Sequence, residues 1–221
     1  MVLLGETLPD FSCETSTGSI PSFHKWIGDS WAMLCSHPAD FTPVCTTELG
    51  RLSQLVPEFE KRNVKVLAVS CNDVASHREW IPDINSYANT DVGYPIIADP
   101  TRVLAKALGM IPASGGPVDA KGMAMTVRAV FIIGPDKKLK LSLLYPASTG
   151  RNFTEIIRVI DSLQVTATQS LATPCDWMQG EECVILPSVS SEAAEEKFPG
   201  FKTVDLPSGK PYIRTTVPAA E

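Results

Sequence analysis

Ser36-His37-Pro38-Ala39-Asp40-Phe41-Thr42-Pro43-Val44-Cys45-Thr46-Thr47-Glu48-Leu49-Gly50-Arg51 is the stretch that decides how this chain is read. It follows an apolar, strand-like run from Trp31 to Cys35 and opens a helix. Thr42 stands at the N-cap and Pro43 at the first helical position, where a missing N–H costs nothing. Cys45 then falls in the first turn, among unpaired backbone N–H groups at the positive end of the helix dipole. An anion is stabilised there, so the sequence puts a thiol where the thiolate is favoured.

Working outward, Leu49, Leu52, Val56 and Phe59 repeat at the spacing of one apolar helix face, with Lys61 and Arg62 in the last turn and Asn63 as the stop. Val64 to Ser70 reads as a strand. Asn72 or Asp73 caps a following helix to about Tyr87, which Pro82 is expected to kink or end. Tyr94 to Ala98 is the next strand, and Asp99-Pro100-Thr101 starts a short helix from Val103 to Leu108. Ala113 to Gly122, rich in Gly, Pro and small residues, reads as a loop. Val127 to Ile133 and Leu139 to Tyr145 form a hairpin about Gly134-Pro135-Asp136-Lys137. Asn152 caps a helix that buries Phe153, Ile156, Ile157, Ile160 and Leu163. Upstream, Phe11 to Glu14 suits a short strand, and Phe23 to Ile27 one helical turn ending at Gly28.

Strands alternating with helices, then a hairpin and a closing helix, predict an α/β fold with a mixed sheet flanked by helices. After Thr166 the pattern changes to short strand candidates such as Cys183 to Leu186 and one helix, Ser191 to Phe198. The expected domains are therefore 1–166 and a small C-terminal extension, 167–221.

The 221 residues carry a net charge of −6 with no basic run, which argues against nucleic acid as a partner. The start, Met1-Val2-Leu3-Leu4-Gly5-Glu6, lacks the features of a signal peptide, and no apolar stretch reaches the ~18 residues of a spanning helix. A cytoplasmic protein is the expectation. The six cysteines, at 13, 35, 45, 71, 175 and 183, include no C-x-x-C pair, so neither a zinc ribbon nor a dithiol motif is indicated. Free thiols are expected, with Cys13, Cys35 and Cys71 as small buried hydrophobes.

A thiolate at Cys45 calls for a cation. Arg128 heads the apolar run Val130 to Ile133, where it either meets an anion or sits at a solvent-exposed strand end. Thr42, three residues before Cys45, can cap the helix with its hydroxyl beside the sulfur. Pro38 can shield the sulfur without adding a competing donor.

Pro38-Ala39-Asp40-Phe41-Thr42-Pro43-Val44-Cys45 resembles the Pro-x-x-x-Thr-x-x-Cys pattern of the peroxiredoxins, and Arg128 fits that family's distant arginine. Pro135-Asp136-Lys137-Lys138-Leu139, Tyr145-Pro146, Thr149 to Phe153 and Leu206 to Lys210 are similar to the one-cysteine subgroup. The resemblance implies a thioredoxin-like core and a thiol peroxidase acting on hydrogen peroxide and on organic and lipid hydroperoxides. Cys45 would attack the O–O bond as thiolate and become a sulfenic acid. Thr42, Arg128 and the Cys45 N–H would hold the peroxide, with His37 a secondary contact. Arg151 is either a second cation or a solvated turn residue. No bound cofactor and no metal are implied. The reductant would be an external thiol such as glutathione, delivered by a glutathione transferase in one variant of the scheme. A homodimer pairing edge strands near Leu139 to Tyr145, or a decamer, is implied as well.

Two readings stay open. Cys175, in Thr173-Pro174-Cys175-Asp176-Trp177, occupies the region of the resolving cysteine of two-cysteine relatives, although the subgroup usually has an aliphatic residue there. The subgroup's phospholipase A2 set would map to Ser30, His24 and Asp136, but Gly28-Asp29-Ser30-Trp31-Ala32 ends in Ala and Ser30 also reads as a plain turn residue. Rival readings are a thiol–disulfide oxidoreductase, disfavoured without C-x-x-C, and a non-catalytic chaperone or interaction protein on the same fold.

Overall fold

The computed structural model describes residues 2–112, 114–119 and 122–219, so Ala113, Ala120 and Lys121 of the expected loop lie outside them. The first compact unit ends at Phe153. In chain order it contains β1 (Cys13–Thr15), β2 (Gly18–Ile20), α1 (Phe23–Ile27), β3 (Trp31–Ser36), α2 (Pro43–Glu60) and β4 (Val64–Ser70). These are followed by α3 (Val74–Ala88), β5 (Ile96–Ala98), α4 (Val103–Ala107), β6 (Arg128–Ile133) and β7 (Leu139–Tyr145).

The strands form one sheet in the order β2-β1-β5-β4-β3-β6-β7. β3, β4 and β5 run parallel, and every other neighbouring pair is antiparallel. The mixed sheet is as expected. β3 and β6 are interior strands with every residue buried, which is why both read as continuous apolar runs rather than alternating ones.

Register places the chemistry. Cys35 pairs with Val130 across the antiparallel β3–β6 ladder. Two residues further along each strand, Arg128 stands level with His37, where β3 gives way to the loop before α2. The head of one strand thus meets the carboxyl end of the other.

α2 begins as predicted, with Pro43 at its start, but Thr42 makes no side-chain cap. Its hydroxyl donates instead to the carbonyl of Ala39 at 2.9 Å, which corrects the capping expectation. Gly50 sits where α2 crosses α3: a Cβ there would come within 2.5 Å of the Ala88 Cβ. The expected break at Pro82 is also corrected. α3 continues through it to Ala88 and ends at Asn89 in the left-handed region, φ 48°. Packing against α2 holds the helix together despite the hydrogen bond a proline cannot donate.

The second unit, residues 154–221, begins within α5 (Phe153–Thr168), earlier than the expected boundary at 166. It continues through β8 (Leu171–Ala172), β9 (Cys183–Ile185), α6 (Ser191–Lys197), β10 (Lys202–Thr203) and β11 (Arg214–Thr216). Its strands make a four-stranded antiparallel sheet, β10-β11-β9-β8. Leu171, Trp177, Cys183, Ile185 and Ala194 form a separate small core.

Candidate active site

Cys45 lies in the first turn of α2 and is fully buried. Arg128 directs Nη1 at its sulfur from 3.3 Å. The same nitrogen donates to Glu48 Oε2 at 2.7 Å, while Nε and Nη2 donate to the carbonyl of Ala147. Arg128 is 3% exposed, so the solvated-strand-end alternative is set aside.

Arg151 is buried too, and no solvated turn residue. Its Nη1 donates to the carbonyls of Ser36 and Ala129, and its Nε and Nη2 to Glu48 at 3.0 and 2.7 Å. Glu48 also accepts the Arg151 backbone N–H at 2.7 Å. Burial alone would raise the Glu48 carboxyl, but the bonds and charge of Arg151, with the charge of Arg128, hold it below the usual carboxylate range.

Sequence reasoning missed Glu48. The signal was its position three residues after Cys45, which puts both on one face of the helix. Two guanidinium groups against one carboxylate leave one positive charge unmatched until the sulfur is a thiolate. That surplus sits beside the sulfur at the start of the helix.

Beside this cluster, His37 is fully buried, and its Nε2 lies 2.8 Å from Asp40 Oδ1. Asp40 Oδ2 lies 2.7 Å from His77 Nδ1 and accepts the Ser76 hydroxyl at 2.8 Å. Burial alone would raise Asp40, but its bonds to the two histidines keep it well below its usual range. Burial lowers His37. The ring is therefore neutral, its Nε2–H donates to Asp40, and Nδ1 has no partner among the described residues. The donor atoms of His37, Asp40 and His77 lie within 4.8 Å of one another, the one group of its kind among the described residues that could hold a metal ion. Their facing atoms already pair with each other.

Pro38 is buried and brings no donor to the loop. Phe41, 54% exposed, takes a left-handed φ of 54° just before the helix. It lines a cleft of about 460 Å³ with Thr42, Pro43, Thr46, Trp80 and Tyr87. The Trp80 indole N–H donates to the Thr46 hydroxyl and ties that wall to α2.

Ser30, His24 and Asp136 do not hydrogen-bond one another. The Ser30 hydroxyl donates to Asn63 Oδ1, His24 Nε2 faces the Leu8 carbonyl, and Asp136 pairs with Lys140. Ser30 also precedes β3 instead of ending it, so no nucleophile elbow forms. The six cysteines are free. Cys175 is exposed, whereas burial pushes the Cys35 thiol up to about 11.

Residues 4–142 match the AhpC/TSA family, and residues 162–200 match the C-terminal domain of 1-Cys peroxiredoxin. The chain is 53% identical to a 1-Cys peroxiredoxin of Dirofilaria immitis, over 96% of each chain. It is 55% identical to peroxiredoxin-6 of Rattus norvegicus, over 97% of each. The structure of the C45S mutant of peroxiredoxin 6 of Arenicola marina superposes with a TM-score of 0.95 at 52% identity, covering 100% of both chains. A yeast mitochondrial 1-Cys peroxiredoxin, studied for thiol resolving through glutathione/thioredoxin systems, gives 0.89 at 44% identity over 98% of this chain and 100% of that one.

Proposed function

The chain belongs to the one-cysteine peroxiredoxins of the AhpC/TSA family, thiol-dependent peroxidases on a thioredoxin-like fold, and from that membership we propose that Cys45 is the sulfur that reduces the peroxide. The observation that carries this is the Arg128 Nη1 at 3.3 Å from Sγ, in a buried cluster with one positive charge in excess.

The Cys45 thiolate attacks one peroxide oxygen. An S–O bond forms, the O–O bond breaks, and the departing oxygen takes a proton to leave as water or an alcohol. Arg128 and the backbone N–H of Cys45 stabilise the charge that shifts onto the leaving oxygen. The Thr42 hydroxyl, free of any capping duty, turns from Ala39 to hold the peroxide. Arg151 acts through Glu48 by fixing the carboxylate that in turn fixes Arg128. Pro38 keeps competing donors away, and the unpartnered His37 Nδ1 accepts from the sulfenic acid O–H.

An external thiol then attacks the sulfenic sulfur, water leaves, and a second thiol reduces the mixed disulfide to restore Cys45. Glutathione, with or without a glutathione transferase, is the reductant in this reading. The yeast relative studied with glutathione and thioredoxin systems supports it. The aromatic cleft of Phe41, Trp80 and Tyr87 suits organic and lipid hydroperoxides, whose tails it can shelter.

A homodimer through β7, which ends the sheet, and residence in the cytoplasm, which suits six free thiols, complete the proposal. No helix among the described residues is long and apolar enough to cross a membrane.

Single-turnover kinetics of the wild type and Cys45→Ser, with hydrogen peroxide and an organic hydroperoxide, test this reading. The wild type consumes one equivalent and yields a sulfenic acid trapped at residue 45. Consumption that survives the substitution overturns it.

A further inference from the structure

A second cavity lies on the opposite flank of the sheet order from β7, where β1 and β5 meet the starts of α3 and α4. It measures about 1050 Å³, at the upper end of ordinary small-molecule sites. Phe11, Ile97, Val103 and Leu104 are among the apolar side chains that dominate its lining. None of the residues described for Cys45 lines it.

Its charged residues are all of one sign. Asp10, Glu14, Asp73 and Asp99 line the cavity, and no Lys or Arg does. None of the four makes an ion pair among the described residues. Asp10 accepts the His24 N–H and the Ser22 hydroxyl, Asp73 the Ser76 N–H, and Asp99 the Ala105 N–H at 2.7 Å. Such bonds satisfy oxygens, and no Lys or Arg of the lining balances the carboxylates; His24 stands beside Asp10. The Asp10 carboxyl is held below its usual range by the His24 N–H and the Ser22 hydroxyl.

Cys13, also in the lining, is pushed up to about 11, first by burial and then by the Glu14 charge. An apolar cavity walled by carboxylates with no Lys or Arg among them repels anions and gives a neutral ligand no electrostatic reward.

We infer that this cavity binds an organic cation, an amine carried on an apolar body, at a site separate from Cys45. The body fills the space between Phe11, Ile97 and Leu104 while the ammonium faces the carboxylates. No covalent step is involved.

Three probes with one body and different heads, phenylbutylamine, phenylbutanol and phenylbutyrate, test the assignment on the full-length protein. Binding is read by titration calorimetry and by protection of Cys13 from slow alkylation at alkaline pH, quantified by mass spectrometry. The amine is expected to bind at least about tenfold more tightly than the alcohol and to protect Cys13, with no binding by the carboxylate. The preference for the amine should weaken with added salt. Glu14→Lys, an exposed change outside the peroxidase site, should abolish that preference while leaving peroxide reduction intact as proof of folding. Equal binding of amine and carboxylate, a preference untouched by both salt and Glu14→Lys, or no binding by any probe overturns the inference.

Discussion

Asp40 holds His37 by Nε2 at 2.8 Å, so the ring's other nitrogen, buried and without a partner, is an acceptor. The carboxylate fixes which nitrogen carries the proton, not merely where the ring sits. Asp40→Asn can present an N–H to Nε2 and move the proton to Nδ1, turning the acceptor into a donor. The sulfenic acid O–H then loses its acceptor, so the sulfenic acid at residue 45 should be shorter-lived while the peroxide step that forms it slows far less. Nitrogen NMR of His37 should report the exchanged tautomer. An unchanged tautomer with unchanged kinetics would show that Asp40 is only a packing group.

The same network sets the response to acid. His37 is lowered in the fold, so below the ordinary histidine value of about 6.5 the unfolded chain binds a proton the native one refuses. Asp40 and Glu48 are also lowered, so their stabilisation is present above their unfolded values near 4 and is lost as pH falls toward the folded ones. Both effects have one sign. The urea midpoint should drop as pH goes from 7 to 5, and more steeply below about 4. A midpoint flat from pH 7 to 5 would count against the neutral, buried His37.

Arg128→Ala should slow peroxide reduction by about 10²–10³-fold, the usual cost of one donor aimed at developing charge. Arg128→Lys should recover only part of it. A lysine cannot reach Cys45, Glu48 and Ala147 together as the guanidinium does. Stopped-flow rates across the three proteins decide this.

Gly50→Ala should destabilise the protein by ~1–2 kcal/mol, because overpacking outweighs the better helix propensity of alanine. The clash is with a single methyl group, that of Ala88. Ala88→Gly in the same molecule should therefore restore part of the loss, a non-additivity visible in a thermodynamic cycle.

Cys175→Ser should leave both peroxide reduction and recycling by glutathione unchanged. Loss of recycling would make Cys175 the resolving thiol after all. Mass spectrometry after one equivalent of peroxide locates the oxidised sulfur in each case.

The helix start at Pro43, the fully buried strands β3 and β6 and the thiol in the first turn were legible because each follows from local chemistry, a proline at N1 and continuous apolar runs, whereas the expected stop at Asn63 falls three residues beyond the helix end at Glu60. Arg128 was legible as out of place in an apolar strand, but its partners were not. Glu48 reaches it only through the antiparallel register of β3 and β6, and the Ala147 carbonyl through that of β6 and β7, neither of which a local pattern encodes. Arg151 looked like a turn residue because its burial comes from distant carbonyls at Ser36 and Ala129. The strands β8, β10 and β11, two or three residues each, are too short to show periodicity. Thr42 had the right residue type for a cap, yet the Ala39 carbonyl competed for its hydroxyl and won.

Two arginines sharing one carboxylate also set a rhythm for the catalytic cycle. In the mechanism proposed for Cys45, the cluster is neutral while the sulfur is a thiolate and carries a whole buried positive charge once it is a sulfenic acid. The protein thus alternates between indifference to anions and an appetite for them, in step with its oxidation state. Under that mechanism a reductant arriving as a thiolate should be drawn in only during the half-cycle that needs it, and the repaired sulfur should extinguish the attraction as the product leaves.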